Sequence, residues 1–169
     1  MSRTLFFNFI MIVVSIVVAL VTGETLLRLK NANMKNYDIE MWRYSKDIKR
    51  QSENPVLGHE HAPSSSANLQ SVNIRINSDG LRGEDLKPKK TGEKRILFLG
   101  SSITLGWGVE EEETLTERLS HMFIMAKNPT KVLNAGIGNY NTVRYVEQFL
   151  TQHAHLDPDL IVVQYFVND

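Results

Sequence analysis

The sequence predicts an α/β fold, a three-layer α/β/α arrangement around a parallel sheet, preceded by one N-terminal transmembrane helix. Three observations carry this. Residues 5–21 are an uncharged apolar run. Residues 96–99 are a continuous apolar run without alternation, which suits a strand buried on both faces, and residues 131–136 and 160–167 read as a second and a third buried strand. Between those runs lie two stretches with apolar residues at helical spacing. Strand, helix, strand, helix, strand implies right-handed βαβ units and a parallel sheet. The 169 residues carry 19 basic and 19 acidic side chains and no cysteine. Zero net charge excludes a polybasic nucleic-acid binder, so no nucleic-acid partner is expected. The lack of cysteine excludes disulfides, thiolate zinc sites and cysteine nucleophiles.

Of the 38 charged side chains, only Arg3 precedes residue 24. Extended to Thr22, the apolar run is 18 residues, about 27 Å as a helix at roughly 1.5 Å per residue. That nearly matches a hydrocarbon core of about 30 Å, so residues 5–22 are expected in a lipid bilayer. A cleaved signal peptide is the alternative, with Arg3 as its charged start and Val21, Thr22 and Gly23 as a small-residue cleavage site. The run exceeds the usual signal core of about 7–15 residues, which favours an uncleaved single-pass anchor. Arg28, Lys30 and Lys35 follow the run, and a positive-inside count on them favours a cytoplasmic C-terminal part.

The domain boundaries read as an anchor over residues 1–23, a juxtamembrane segment and linker over 24–71, and an α/β portion over 72–169. Trp42 and Tyr44 are candidates for the headgroup level. Residues 51–71 are rich in Pro, Gly, Ser and Asn and read as loop. His59 and His61 flank Glu60 there, but an isolated HxH in a loop is a weak ligand pattern, and no metal is expected. Val72, Ile74 and Ile76 alternate with polar residues as a half-buried strand does, and Ser78-Asp79-Gly80 then turns the chain. Lys87, Lys89, Lys90 and Lys94 read as solvated surface, with anionic lipid as the alternative contact. Thr114 and Glu117 have capping-box spacing, and Leu115, Leu119, Met122 and Phe123 form the apolar stripe that follows. Asn141 or Thr142 caps the second helix, which has Val143, Val146 and Leu150 on one face and Pro158 beyond its end.

Ligands of open α/β sheets bind beyond the carboxyl ends of the strands. The residues at those ends are Gly100-Ser101-Ser102 after the first run, Gly136 to Asn141 after the second, and Asn168-Asp169 after the third. A serine hydroxyl between strand and helix, a glycine-rich backbone and a carboxamide at a common edge suit a nucleophile beside an oxyanion hole. Single features of this kind also occur as caps and turns. The segment GSSITLG at 100–106 lacks the P-loop lysine and the dinucleotide glycine spacing, which argues against a nucleotide-binding domain.

Together these residues resemble the SGNH hydrolases, the GDSL-type esterases and acylhydrolases. ILFLGSSIT at 96–104 resembles the family's first block, NAGIGNYNT at 134–142 its second, and FVND at 166–169 its third. GWGV at 106–109 and NSDGLRG at 77–83 resemble the membrane-anchored bacterial branch. The resemblance spans about residues 72–169. It implies a flavodoxin-like SGNH hydrolase fold and a small acyl-ester substrate, such as an acetylated carbohydrate of the envelope. It implies no cofactor and an extracytoplasmic soluble part, against the positive-inside count. Ser102 would be the nucleophile. Asn139 would give the backbone oxyanion N–H, with Gly138 the alternative if the turn shifts by one. Asn168 would give the side-chain oxyanion donor.

Ser101 stands where the family has Asp, and Phe166 where it has Gly. The family's Asp-x-x-His block, which supplies the general base, has no match. None of His59, His61, His121, His153 and His155 has Asp three positions earlier. The expectation is a fold incomplete at the C-terminus and a truncated, inactive portion of an acyl hydrolase. A membrane-anchored, non-catalytic binding or assembly module is the alternative.

Overall fold

The computed structural model describes residues 3–31 and 36–167. The chain divides into two units, residues 1–39 and 40–169.

The first unit is dominated by helix α1 (Arg3–Asn31). Residues 3–30 are long and apolar enough to cross a membrane, and their large side chains are exposed throughout. Ser15 and Thr25 donate to the carbonyls of Met11 and Val21, which satisfies their hydroxyls within the helix. The helix continues beyond the apolar run through Leu26, Leu27 and Leu29 to Asn31.

Helix α2 (Tyr37–Asp47) leads into the second unit. Residues 51–71, expected as loop, take part in two antiparallel hairpins. Strand β1 (Lys49–Gln51) pairs with β2 (His59–His61), and β3 (Ser66–Leu69) pairs with β4 (Val72–Arg75). The strands are too short to give a periodic signal. Val72 and Ile74 alternate inward as expected, and Gly80 turns the chain with φ +78°. Tyr44, expected at the headgroup level, is instead fully buried with Ile48, Leu69 and Ile74 in the core of this unit.

The main sheet is parallel, in the order β6-β5-β7. Its strands are β5 (Lys94–Gly100), β6 (Thr130–Gly136) and β7 (Leu160–Gln164). β5 is central and buried over its last four residues. Helices α3 (Ser102–Leu105), α4 (Leu115–Met125) and α5 (Thr142–Gln148) connect the strands and lie against the sheet. This is the α/β class that the order of elements predicts. The caps also follow the sequence: the Thr114 side chain accepts from the Glu117 N–H, and Asn141, not Thr142, accepts from the Arg144 N–H.

The helix faces depart from expectation. On α4, Leu115 and Met122 are exposed, whereas Thr116 and Ser120 are buried against the sheet. On α5, Val143 and Val146 are exposed, as is Leu150 in the turn beyond it, whereas Tyr145 and Gln148 are buried. Partner hydrogen bonds account for part of this inversion. Thr116 Oγ1 accepts from Asn134 Nδ2, and Gln148 Nε2 donates to the Ala135 carbonyl. A small or satisfied polar residue lets a helix approach the strand closely, so periodicity alone selects the wrong face. β7 is likewise a half-exposed edge strand that ends at Gln164, not a strand buried on both faces through Val167.

Candidate active site

The site is built where β5 and β6 end. Parallel register pairs Gly100 with Gly136, and the Ile137 N–H donates to the Gly100 carbonyl at 3.0 Å. Serines 101 and 102 and residues 137–139 therefore leave adjacent strands side by side at the carboxyl edge. On the other flank, Gly100 pairs with Gln164 of β7. Thr104 Oγ1 donates to Gln164 Oε1 at 2.9 Å, which ties the end of β7 to α3.

Helix α3 is a single turn, so its macrodipole is small, and its first N–H groups have no intrahelical acceptor. Ser101 precedes it, buried, with no side-chain cap bond. Ser102 is half-buried, and its hydroxyl makes no hydrogen bond among the described residues. The Ser102 carbonyl accepts from the N–H groups of Gly106 and Trp107 at 3.1 and 3.0 Å. Gly106 adopts the left-handed conformation that closes the turn.

Two buried side chains fix this turn against the second loop. Arg82 donates at 2.6 Å to each of the carbonyls of Leu105, Gly106 and Val109. Asn134 donates through Nδ2 to the Thr104 carbonyl at 2.8 Å and accepts the Gly136 N–H at 3.0 Å. Gly136 is required by packing: a Cβ there would meet the backbone of Thr104 and Leu105.

The two alternatives for the second-loop donor differ in their surroundings. Gly138 is buried, and its N–H donates to the Tyr44 hydroxyl at 3.1 Å. Asn139 is exposed, takes φ +68°, and its N–H has no acceptor among the described residues. Asn is among the residues that tolerate this left-handed conformation best. Asn168, the third member expected from the sequence, lies outside the described residues, four positions beyond Gln164.

The histidines are engaged elsewhere. Burial holds His61 far below its usual value, at about 3, so it is neutral. A directional chain follows. The Gly138 N–H donates to the Tyr44 hydroxyl, Tyr44 donates to His61 Nε2 at 2.7 Å, and His61 Nδ1 donates to the Gly80 carbonyl at 3.0 Å. Burial raises the Tyr44 hydroxyl, which keeps it protonated for this role. His59 Nε2 lies 3.1 Å from Lys49 Nζ. His153 is buried beside Gln148 at 3.1 Å and lowered to about 4 by desolvation. His155 faces Asp79, and His121 is exposed on α4.

Lys49 and Arg144 are supporting residues that the sequence alone left unmarked, and for Tyr44, Arg82 and Asn134 it gave no sign of the supporting bonds that they make. HEH at 59–61 stood out in the sequence as a weak metal pattern. Among the described residues no cluster of His, Asp or Glu is arranged to hold a metal. Lys89 of the basic loop pairs with Asp157 and Asp159.

No family model matches the chain, and no curated protein matches it in sequence. Among solved structures it is similar to AlinE4, described as an SGNH-hydrolase family esterase, and to a mutant of that esterase. Each is 23% identical with a TM-score of 0.39, and the match covers 46% of this chain and 42% of the other. The chain thus spans less than half the length of these neighbours.

Proposed function

We propose that residues 72–169 are part of a serine acyl hydrolase or acyltransferase domain of the SGNH type, held to a membrane by α1. Ser102 is the nucleophile. The N–H groups of Ser102 and Asn139 and the side-chain amide of Asn168 bind the oxyanion of the tetrahedral intermediate. The substrate is a small acyl ester, such as an O-acetylated carbohydrate, on the extracytoplasmic side. The observation that supports this reading most is the pairing of Gly100 with Gly136, which starts the Ser102 turn and the Asn139 loop from neighbouring strand ends.

The mechanism has a defined weakness. Attack of the Ser102 hydroxyl on an ester carbonyl needs a base to take its proton. These 169 residues contain no Asp-x-x-His. From these residues by themselves, acceleration is what an oxyanion hole supplies, on the order of 10³–10⁴ over water.

The test is slow covalent labelling of the full chain in detergent by a fluorophosphonate, located by peptide mass spectrometry. The expected result is modification of Ser102 that Ser102→Ala abolishes. Labelling unchanged in Ser102→Ala, or none, would overturn the reading and leave a tethered, non-catalytic module.

A further inference from the structure

The peptide joining Gly138 to Asn139 carries the Asn139 N–H on one side and the Gly138 carbonyl on the other, and all described peptides are trans. Whatever holds the carbonyl therefore aims the N–H. Lys49 Nζ donates to that carbonyl at 2.6 Å and lies 3.4 Å from Asn139 Oδ1. The neighbouring groups are also pinned, the Gly138 N–H by Tyr44 and the Asn139 carbonyl by Arg144 Nη1 at 3.0 Å. Lys49 is half-buried over the Tyr44 ring, 4.5 Å from its centroid, and no carboxylate pairs with it among the described residues. Its shortest polar contact is thus a main-chain carbonyl, which is not what a surface ion pair or a solvated lysine looks like.

We propose that Lys49 is a positioning residue for oxyanion stabilisation: its ammonium group grips the Gly138 carbonyl and so orients and polarises the peptide whose Asn139 N–H faces the oxyanion. The inference rests on the reading of Asn139 as oxyanion donor. A cation on the carbonyl draws electron density through the amide, and successive hydrogen bonds strengthen one another. The clamp also offsets the cost of the left-handed Asn139 backbone. The groups facing Lys49 are Tyr44 of α2, His59 and His61 of β2, Asn139 of the loop and Arg144 of α5. Desolvation first, and Arg144 second, lower Lys49 to about 7, so its charge changes near neutral pH. His59, lowered to about 4, stays neutral there. Its Nε2 lies 3.2 Å from the same carbonyl and can replace the ammonium only as a weaker, neutral donor.

The test follows the Asn139 amide resonance of the full chain in detergent, labelled with ¹⁵N-asparagine and assigned with Asn139→Gly, from pH 5.5 to 8.5. The wild type and Ser102→Ala should show one step with a midpoint near 7. Lys49→Met should show no step, and Lys49→Arg should stay at the low-pH position throughout. Fluorophosphonate labelling of Ser102 should slow about tenfold in Lys49→Met and recover to within about twofold in Lys49→Arg. An Asn139 step that persists in Lys49→Met, or labelling of that variant at the wild-type rate, overturns the proposal. If Lys49→Met fails to fold, the same step seen in Lys49→Arg overturns it instead. If Ser102 proves unreactive in the wild type while Asn139 still follows Lys49, the clamp stands and only the acyl-transfer reading falls.

Discussion

Gly136→Ala tests the packing that joins the Ser102 turn to the second loop. A Cβ at this position would lie 2.7 Å from the Thr104 carbonyl carbon and 2.8 Å from its Cβ, and closer still to the Leu105 nitrogen. Two of these three atoms belong to the backbone of α3 and cannot rotate away. The methyl group therefore forces α3 off β6, against the Arg82 and Asn134 bonds that hold it. Overpacking a core costs about 1–3 kcal/mol, and contact with fixed backbone argues for the upper end. At about 3 kcal/mol the melting temperature should fall by roughly 10 °C in a domain of this size. Thermal unfolding followed by tryptophan fluorescence reads this directly, because Trp107 donates to Ser102 in the same turn. Gly138→Ala is the comparison. Its Cβ would meet the Tyr44 ring at 2.9 Å, a side chain that can shift slightly, so a smaller loss is expected. Equal melting temperatures for wild type and Gly136→Ala would refute the close apposition of α3 and β6.

Three further outcomes are expected. His61 and His153 are held neutral by burial at about 3 and 4, so the unfolded chain binds protons that the folded chain refuses as pH falls below about 6.5. Stability should therefore be complete above that value and decline by a few kcal/mol by pH 4; a flat chemical-denaturation midpoint from pH 7 to 4 would contradict this. Arg82→Met removes three hydrogen bonds from a buried guanidinium and leaves the carbonyls of Leu105, Gly106 and Val109 without it, at about 2–4 kcal/mol by urea denaturation. Tyr44→Phe leaves the Gly138 N–H and His61 Nε2 without their partner, at about 1–3 kcal/mol in the same assay. His61 should then bind a proton at a different pH in an imidazole NMR titration.

The sequence carried the parts of this structure that depend on local physics. A continuous apolar run marked β5, and short polar side chains marked the caps at Thr114 and Asn141. The helix faces were not legible, because Thr116, Ser120 and Gln148 face the sheet through closeness of approach and specific hydrogen bonds. β7 showed the limit of reading an apolar run as burial on both faces: Val163 and Leu160 are about half exposed at the sheet edge. The site divides similarly. Ser102 and the loop around Asn139 stood out because each follows a strand that is recognisable on its own. The clamp did not, because Lys49 and Gly138 are 89 residues apart and neither has an unusual neighbourhood in sequence. The choice between Gly138 and Asn139 was also hidden, since it turns on a hydroxyl from Tyr44, in a stretch read as juxtamembrane.

The most direct measurement is a crystal structure of the full chain with a phosphonate bound covalently to Ser102. The account predicts the phosphonyl oxygen about 2.7–3.1 Å from the backbone nitrogens of both Ser102 and Asn139. An adduct whose oxygen points to solvent, or whose nearest donor is the Gly138 nitrogen released from Tyr44, would contradict it.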